Sequence, residues 1–164
     1  MRCGFAFGER FDVTANLLAA ITGIATTEQR DAILDYVEQA GLHRPYPVRV
    51  LYPPIRPGEA DWREYYKIYN LNLPDQYHNG GIWPWVGGLY VATLAVAGRR
   101  ERAREELVML AEALRQGREE WECNEWLHGL AGRPMGAKYQ AWSAGMFLYA
   151  RHAVETGQAP ALAL

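Results

Sequence analysis

Apolar residues recur at helical spacing in five stretches of the chain. From Phe11 to about Ile24, the residues Leu17, Leu18, Ile21 and Ile24 share one face. Thr26 and Gln29 form a capping box that starts a second helix, which runs through Ile33, Tyr36 and Val37 to a stop at Gly41. A third opens at Pro84, favoured in a first helical turn, and continues through Leu89, Val91 and Leu94 to Gly98. The fourth, from about Arg99 to Arg115, carries Ala103, Leu107, Leu110, Ala111 and Leu114 on one stripe. The fifth, from about Lys138 to Glu155, is apolar over much of its surface, with Trp142, Met146, Leu148 and Tyr149. No alternating run competes with an all-α reading. Val48 to Leu51 could form a short strand, but prolines bracket it.

The connections carry more information than the helices. Tight turns join helices one to two and three to four, so these pairs fold as antiparallel hairpins. Residues 42–83 and 116–137 are long connections, and structureless segments of that length are functional or disordered. Their aromatic content argues against disorder. Both follow helices running in the same direction, so both emerge at one end of the bundle. One carries Tyr77-His78-Asn79-Gly80-Gly81 and the other Asn124-Glu125-Trp126-Leu127-His128-Gly129, which together predict a site at that end.

Composition narrows the chemistry. The 164 residues fit one domain, and a net charge of −2 offers no footprint for nucleic acid or a membrane surface. The one basic cluster, Arg99, Arg100, Arg102 and Arg104, alternates with Glu101, Glu105 and Glu106 and reads as a solvated helix face. Cys3 and Cys123 are too few for a disulfide framework or a zinc site. No secretory apolar segment opens the chain and no apolar run approaches a membrane span, which leads to the expectation of a soluble, cytoplasmic protein. Six Trp and ten Tyr against four Phe favour surfaces that are partly stacked and partly wet, as in sugar clefts and protein interfaces.

Glu125 is the carboxylate best suited to proton transfer, because Trp121 and Trp126 flank it and desolvate it. Glu122 is its local rival. His78 and His128 lie in different loops without a clear third ligand, so hydrogen bonding is expected of them rather than metal ligation. Asp12 is expected to cap the first helix, and Ser143 to pack inside the last one. Gly80-Gly81 is followed by no phosphate-loop lysine and instead permits a turn or a close approach. Gly87-Gly88, inside a helix, allow helices to pack closely. No serine triad, nucleophile elbow or kinase signature is present, and neither a cofactor nor a metal ion is implied.

The segments Tyr77-His78-Asn79-Gly80-Gly81-Ile82-Trp83-Pro84, Asn124 to Gly129, and Gln140-Ala141-Trp142-Ser143-Ala144-Gly145 occur in this order. In that order and spacing they resemble the C-terminal motifs of (α/α)6-barrel glycoside hydrolases of the neutral/alkaline invertase type. Bacterial relatives of that type are often labelled amylo-α-1,6-glucosidase or glycogen-debranching enzymes. The likeness runs from about Phe7 to Ala150. It implies an inverting hydrolase acting on an oligosaccharide such as sucrose or an α-glucoside, with paired carboxyls ~6.5–9.5 Å apart. Glu125 matches the position of the family's base, while His128 stands where the family has Asp and Asn124 where it has Pro. Tyr77, His78, Asn79, Trp83, Trp126, His128, Gln140 and Trp142 would line the sugar subsite.

A full (α/α)6 toroid needs six helical hairpins, and the fold expected here is about half of one, a single domain over residues 1–164 with its long active-site loops at one end. The family's general acid lies upstream of any matching position. The resemblance therefore implies a glycosidase fragment or truncated homologue, weak or inactive alone. The expected partners are a sugar and either a second copy or the missing barrel half. The alternative reading is a non-catalytic helical carbohydrate-binding or assembly module. A complete small enzyme would have to draw its acid from Glu122, Asp12 or a second subunit.

Overall fold

The structure, a computed structural model, describes residues 9–70 and 72–159. It is mostly helical: α1 (Val13–Ile21), α2 (Thr27–Gln39), α3 (Pro84–Val96), α4 (Arg100–Arg115) and α5 (Ala141–Thr156). Cys3 and Phe7, used in the sequence reading, lie outside the described residues.

The first three helices begin where their sequence provides for the unpaired amides of the first turn. Asp12 accepts from the Ala15 amide at 3.0 Å and caps α1, which fixes that helix two residues later than its apolar pattern suggests. Thr26 and Gln29 exchange both bonds of the capping box at α2. Pro84 opens α3. The last helix starts at Ala141 rather than near Lys138, because Gln140 is its extended N-cap.

α3 is apolar all round and is the centre of the molecule. It packs on α1, α4 and α5, and residues Val86 to Ala95 are all buried. Its two glycines make this possible. A β-carbon on Gly88 would lie 2.6 Å from the Met146 carbonyl oxygen of α5, and one on Gly87 would strike the Pro47 carbonyl. Replacing Gly88 with Ala is expected to cost about 1–3 kcal/mol of stability, read as a lower urea midpoint at unchanged slope.

The mixed-charge expectation for α4 needs correction at Glu106, Arg99 and Arg102. Glu106 is fully buried, paired to Arg44 at 2.8 Å and to Arg102 at 3.2 Å. Arg99 and Arg102 are not a solvated fringe either. They reach Asp35 at 2.6 Å and Glu38 at 3.4 Å, tying α4 to α2.

The all-α reading misses four two-residue strands. β1 (Phe11–Asp12) pairs antiparallel with β2 (Leu51–Tyr52), and β3 (Trp126–Leu127) with β4 (Pro134–Met135). Isolated antiparallel bridges join Arg49 to Ile82 and Ile82 to Leu127, so the pieces form a discontinuous ribbon.

Candidate active site

The ribbon brings the two long connections together, as their shared end of the bundle predicts. Ile82 and Leu127 exchange both backbone hydrogen bonds at 2.8 Å, and the Gly129 amide donates to the Asp75 carbonyl at 2.8 Å. Gly129 and Gly80 approach so closely that a β-carbon on Gly129 would strike the Gly80 carbonyl. Gly80 itself sits at φ +95°, and Gly81 has no room for a side chain over the Tyr77 backbone. Asp75, Tyr77, Trp121, Cys123 and Tyr139 hold positive φ, which strains a residue with a side chain. All five lie in or beside these two connections.

An aromatic cluster forms where the loops meet. The His78 ring stacks on Trp83, with centroids 4.7 Å apart and planes 3° from parallel. Tyr77 tilts against both, at 4.2 Å from His78 and 5.1 Å from Trp83, and meets Trp126 edge-on at 5.9 Å. The Trp83 indole N–H donates to the Tyr77 carbonyl at 3.1 Å, which fixes the ring that His78 leans on. Part of the His78 ring is open to solvent, yet the packing around it pulls its pKa below the ordinary histidine value. The charge of the Glu125 carboxylate opposes that shift.

Glu125 stands at the open end of the β3–β4 hairpin. Its amide donates to the Ala137 carbonyl at 2.8 Å, and its Oε2 accepts from the Ala137 amide at 3.0 Å. Trp83, Trp85, Trp142 and Met146 line an open cavity of about 450 Å³. Trp142 is 51% exposed, so it presents a ring face rather than filling the core. Two smaller cavities meet at His78. One, about 240 Å³, is lined by Asp12, Thr14, Val50 and Leu51, and the other, about 280 Å³, by Tyr65, Tyr66, Asn72 and Asn79 among others.

The sequence profile of the alkaline and neutral invertase family matches residues 6–157. The chain belongs to that family. Cytosolic invertase 1 of Oryza sativa subsp. japonica is 31% identical over 151 residues, covering 89% of this chain and 26% of the relative. Alkaline/neutral invertase E, chloroplastic, of Arabidopsis thaliana is 35% identical over 148 residues, covering 87% and 23%. The chain thus spans about a quarter of the length of these relatives. Among solved structures, a GH63 mannosylglycerate hydrolase from Thermus thermophilus overlays with a TM-score of 0.59 at 17% identity, covering 82% of this chain and 29% of that one. That likeness speaks to the helical fold alone.

Within this invertase-family chain the expected sugar-lining residues divide. Tyr77, His78, Trp83, Trp142 and Glu125 gather around the meeting point of the loops. Asn79 borders a cavity but is 3% exposed, and its amide is occupied by backbone. It donates to Ile55 at 2.8 Å and to Asn72 at 3.0 Å, and accepts from Ile55 at 2.6 Å, bracing residues 55–72. Trp126 is 1% exposed and supports Tyr77 from below. The Nδ1 of His128 accepts from Leu130 at 3.2 Å and Ala131 at 3.3 Å and so closes its own turn. Gln140 sits at the N-cap position of α5 without a side-chain capping bond, its amide donating instead to the Lys138 carbonyl at 3.1 Å. Trp85, Met146, Tyr65 and Tyr66 border cavities that the sequence reading left unassigned. The Trp62–Tyr66 aromatic run was the available signal.

The two candidate acids are engaged elsewhere. Asp12 is the α1 cap described above. Glu122 is 2% exposed and accepts from Lys138 Nζ at 2.8 Å and from the amides of Arg118 and Glu119 at 3.0 and 3.1 Å. The Lys138 bond and then these amides lower its pKa from 4.5 to about 2. A carboxyl so held is ionised, not a proton donor, near neutrality. Its folded pKa lies below the unfolded one, so its contribution to stability is present above pH 4.5 and lost as pH falls through about 2. Lys138→Met should flatten the acid limb of the stability curve in that window, measured by urea unfolding across pH.

Among the described residues, no helix is long and apolar enough to cross a membrane.

Proposed function

We propose that this chain supplies the base and one wall of the sugar cleft of an inverting glycoside hydrolase. One observation supports the reading: the backbone-stitched loops bring Trp126, the neighbour of Glu125 in the chain, against the Tyr77–His78–Trp83 cluster, and Trp83 also walls a cavity shared with Trp85 and Trp142. Indole faces suit the C–H faces of a sugar ring, and a carboxylate at the rim suits activation of water. The named relatives are invertases, which supports sucrose as the first sugar to try and α-glucosides as the next.

The acid partner is proposed to come from a companion, either a second copy or the other half of an (α/α)6 toroid. α5 offers a surface for it. Ala141, Ala144, Gly145 and Leu148 lie at one-stripe spacing and are exposed, with Leu148 at 64%. The same companion would complete the ring of which these five helices are proposed to form about half.

The test is hydrolysis of sucrose, maltose and isomaltose, with sugar binding followed by tryptophan fluorescence and the solution mass recorded alongside. Turnover that depends on Glu125 supports the enzyme reading. Saturable sugar binding without turnover sinks the reading as a complete small enzyme and fits either a fragment awaiting the companion's acid or a carbohydrate-binding module. Neither binding nor turnover sinks both.

A further inference from the structure

Resting on the base role proposed for Glu125, we propose that the turn Gly136–Ala137 is a positioning element that divides the labour of the two carboxylate oxygens. Oε2 is the anchored oxygen and Oε1 the one that takes the proton. The Glu125 and Ala137 backbones face each other across the end of the hairpin. One bond runs from the Glu125 amide to the Ala137 carbonyl at 2.8 Å. The other runs from the Ala137 amide to Oε2 at 3.0 Å. The pair holds main chain and side chain of the same residue at once. Among the described residues Oε1 makes no hydrogen bond of its own.

Gly136 is what lets the carboxylate lie there. A β-carbon at this position would fall 2.6 Å from Glu125 Oε2, 2.7 Å from Trp126 Cδ1 and 2.8 Å from Trp126 Nε1. Its φ of +73° is also one that side-chain-bearing residues resist. Trp126 is buried beneath Tyr77 and cannot retreat, so a methyl group would displace the carboxylate. In the proposed reaction Oε1 takes a proton from water, and the water oxygen bonds to the anomeric carbon. The glycosidic bond breaks with its electron pair going to the leaving oxygen, which is protonated by the carboxylic acid of the companion. Anchoring Oε2 limits rotation of the carboxylate, so Oε1 keeps one direction throughout.

The test compares Gly136→Ala with Gly98→Ala, a glycine at φ +80° with nothing within 4 Å, which carries similar backbone strain away from the site. Gly136→Ala should lower kcat about a hundredfold with KM unchanged, as a displaced reacting group does, while Gly98→Ala leaves kcat alone. Exchange of the Ala137 amide hydrogen should speed up in Gly136→Ala and in Glu125→Ala but not in Gly98→Ala. If Gly136→Ala fails to fold, replacing the Ala137 amide by an ester deletes only the N–H donor and should give the same loss of kcat. If Glu125→Gln retains full turnover, the base reading falls and this role falls with it. Where the chain alone lacks the companion's acid and does not turn over, unchanged Ala137 amide exchange in Gly136→Ala overturns the anchoring role. If Glu125→Gln is inactive yet Gly136→Ala and the ester both keep kcat, the positioning role alone is overturned.

Discussion

With Glu125 as the proposed base, Glu125→Gln should abolish any sugar hydrolysis the chain supports, while leaving any sugar binding and the urea midpoint close to their original values. General base catalysis contributes typically about 10²–10⁴-fold, and the amide has no basic oxygen with which to replace it. The substitution is nearly isosteric and keeps an oxygen for the Ala137 amide, so the hairpin has no reason to open. The tryptophans enclosing the cavity are untouched, which is why affinity persists. Measured kcat and KM check this directly: a fall in kcat alone marks an interaction made in the transition state, and a rise in KM alone would assign Glu125 to binding.

The second large effect lies away from the site. Removing both Arg44 and Arg102, as Arg44→Met with Arg102→Met, should cost about 3–5 kcal/mol, because it leaves the Glu106 carboxylate buried without a counter-charge. Adding Glu106→Leu to that pair should recover most of the loss, since an apolar side chain there has no charge to compensate. The pH dependence gives an independent check. Burial raises the Glu106 pKa above 4.5 even against the pull of Arg44 and Arg102. The folded chain therefore holds that proton more tightly than the unfolded chain. The favourable contribution is complete below 4.5 and is lost as pH rises through the folded value. Relative to the unsubstituted chain at each pH, the double variant should be partly rescued by acid and the triple variant should not. Urea unfolding as a function of pH reads both differences.

Glu106 also shows where sequence reasoning succeeds and where it stops. It lies three residues after Ala103 and four before Leu110, on the very stripe that predicts the buried face of α4. The signal was present, and alternating charge in the sequence outweighed it. The helices themselves were legible because caps and breakers are local: the Thr26–Gln29 box, Pro84 and Gly98 each mark their boundary within one turn of chain. Gly87 and Gly88 were legible as packing glycines for the same reason, an apolar helix having little other use for them. The ribbon was not legible. Two-residue pairings such as Phe11–Tyr52 and Ile82–Leu127 have no alternation for a periodicity to detect. That Tyr77, His78 and Trp83 cluster was expected from their residue types and from resemblance. The occupied amide of Asn79 and the self-closing turn of His128 were not, because each depends on where a distant or neighbouring backbone atom comes to rest.

The ribbon has a further consequence, which concerns the order of assembly. Its pairings join residues 11 to 52, 49 to 82, and 82 to 127, so each closes a long stretch of chain. Closing such loops forfeits chain entropy before any of their few hydrogen bonds form. The helices, whose own hydrogen bonds are local, form under no such handicap, and α3 gives them a common surface on which to dock. The loops then register against a scaffold already in place. A defect deep in the bundle, at the crossing of Gly88 and Met146 for example, would therefore erase the candidate site without altering any residue that lines it.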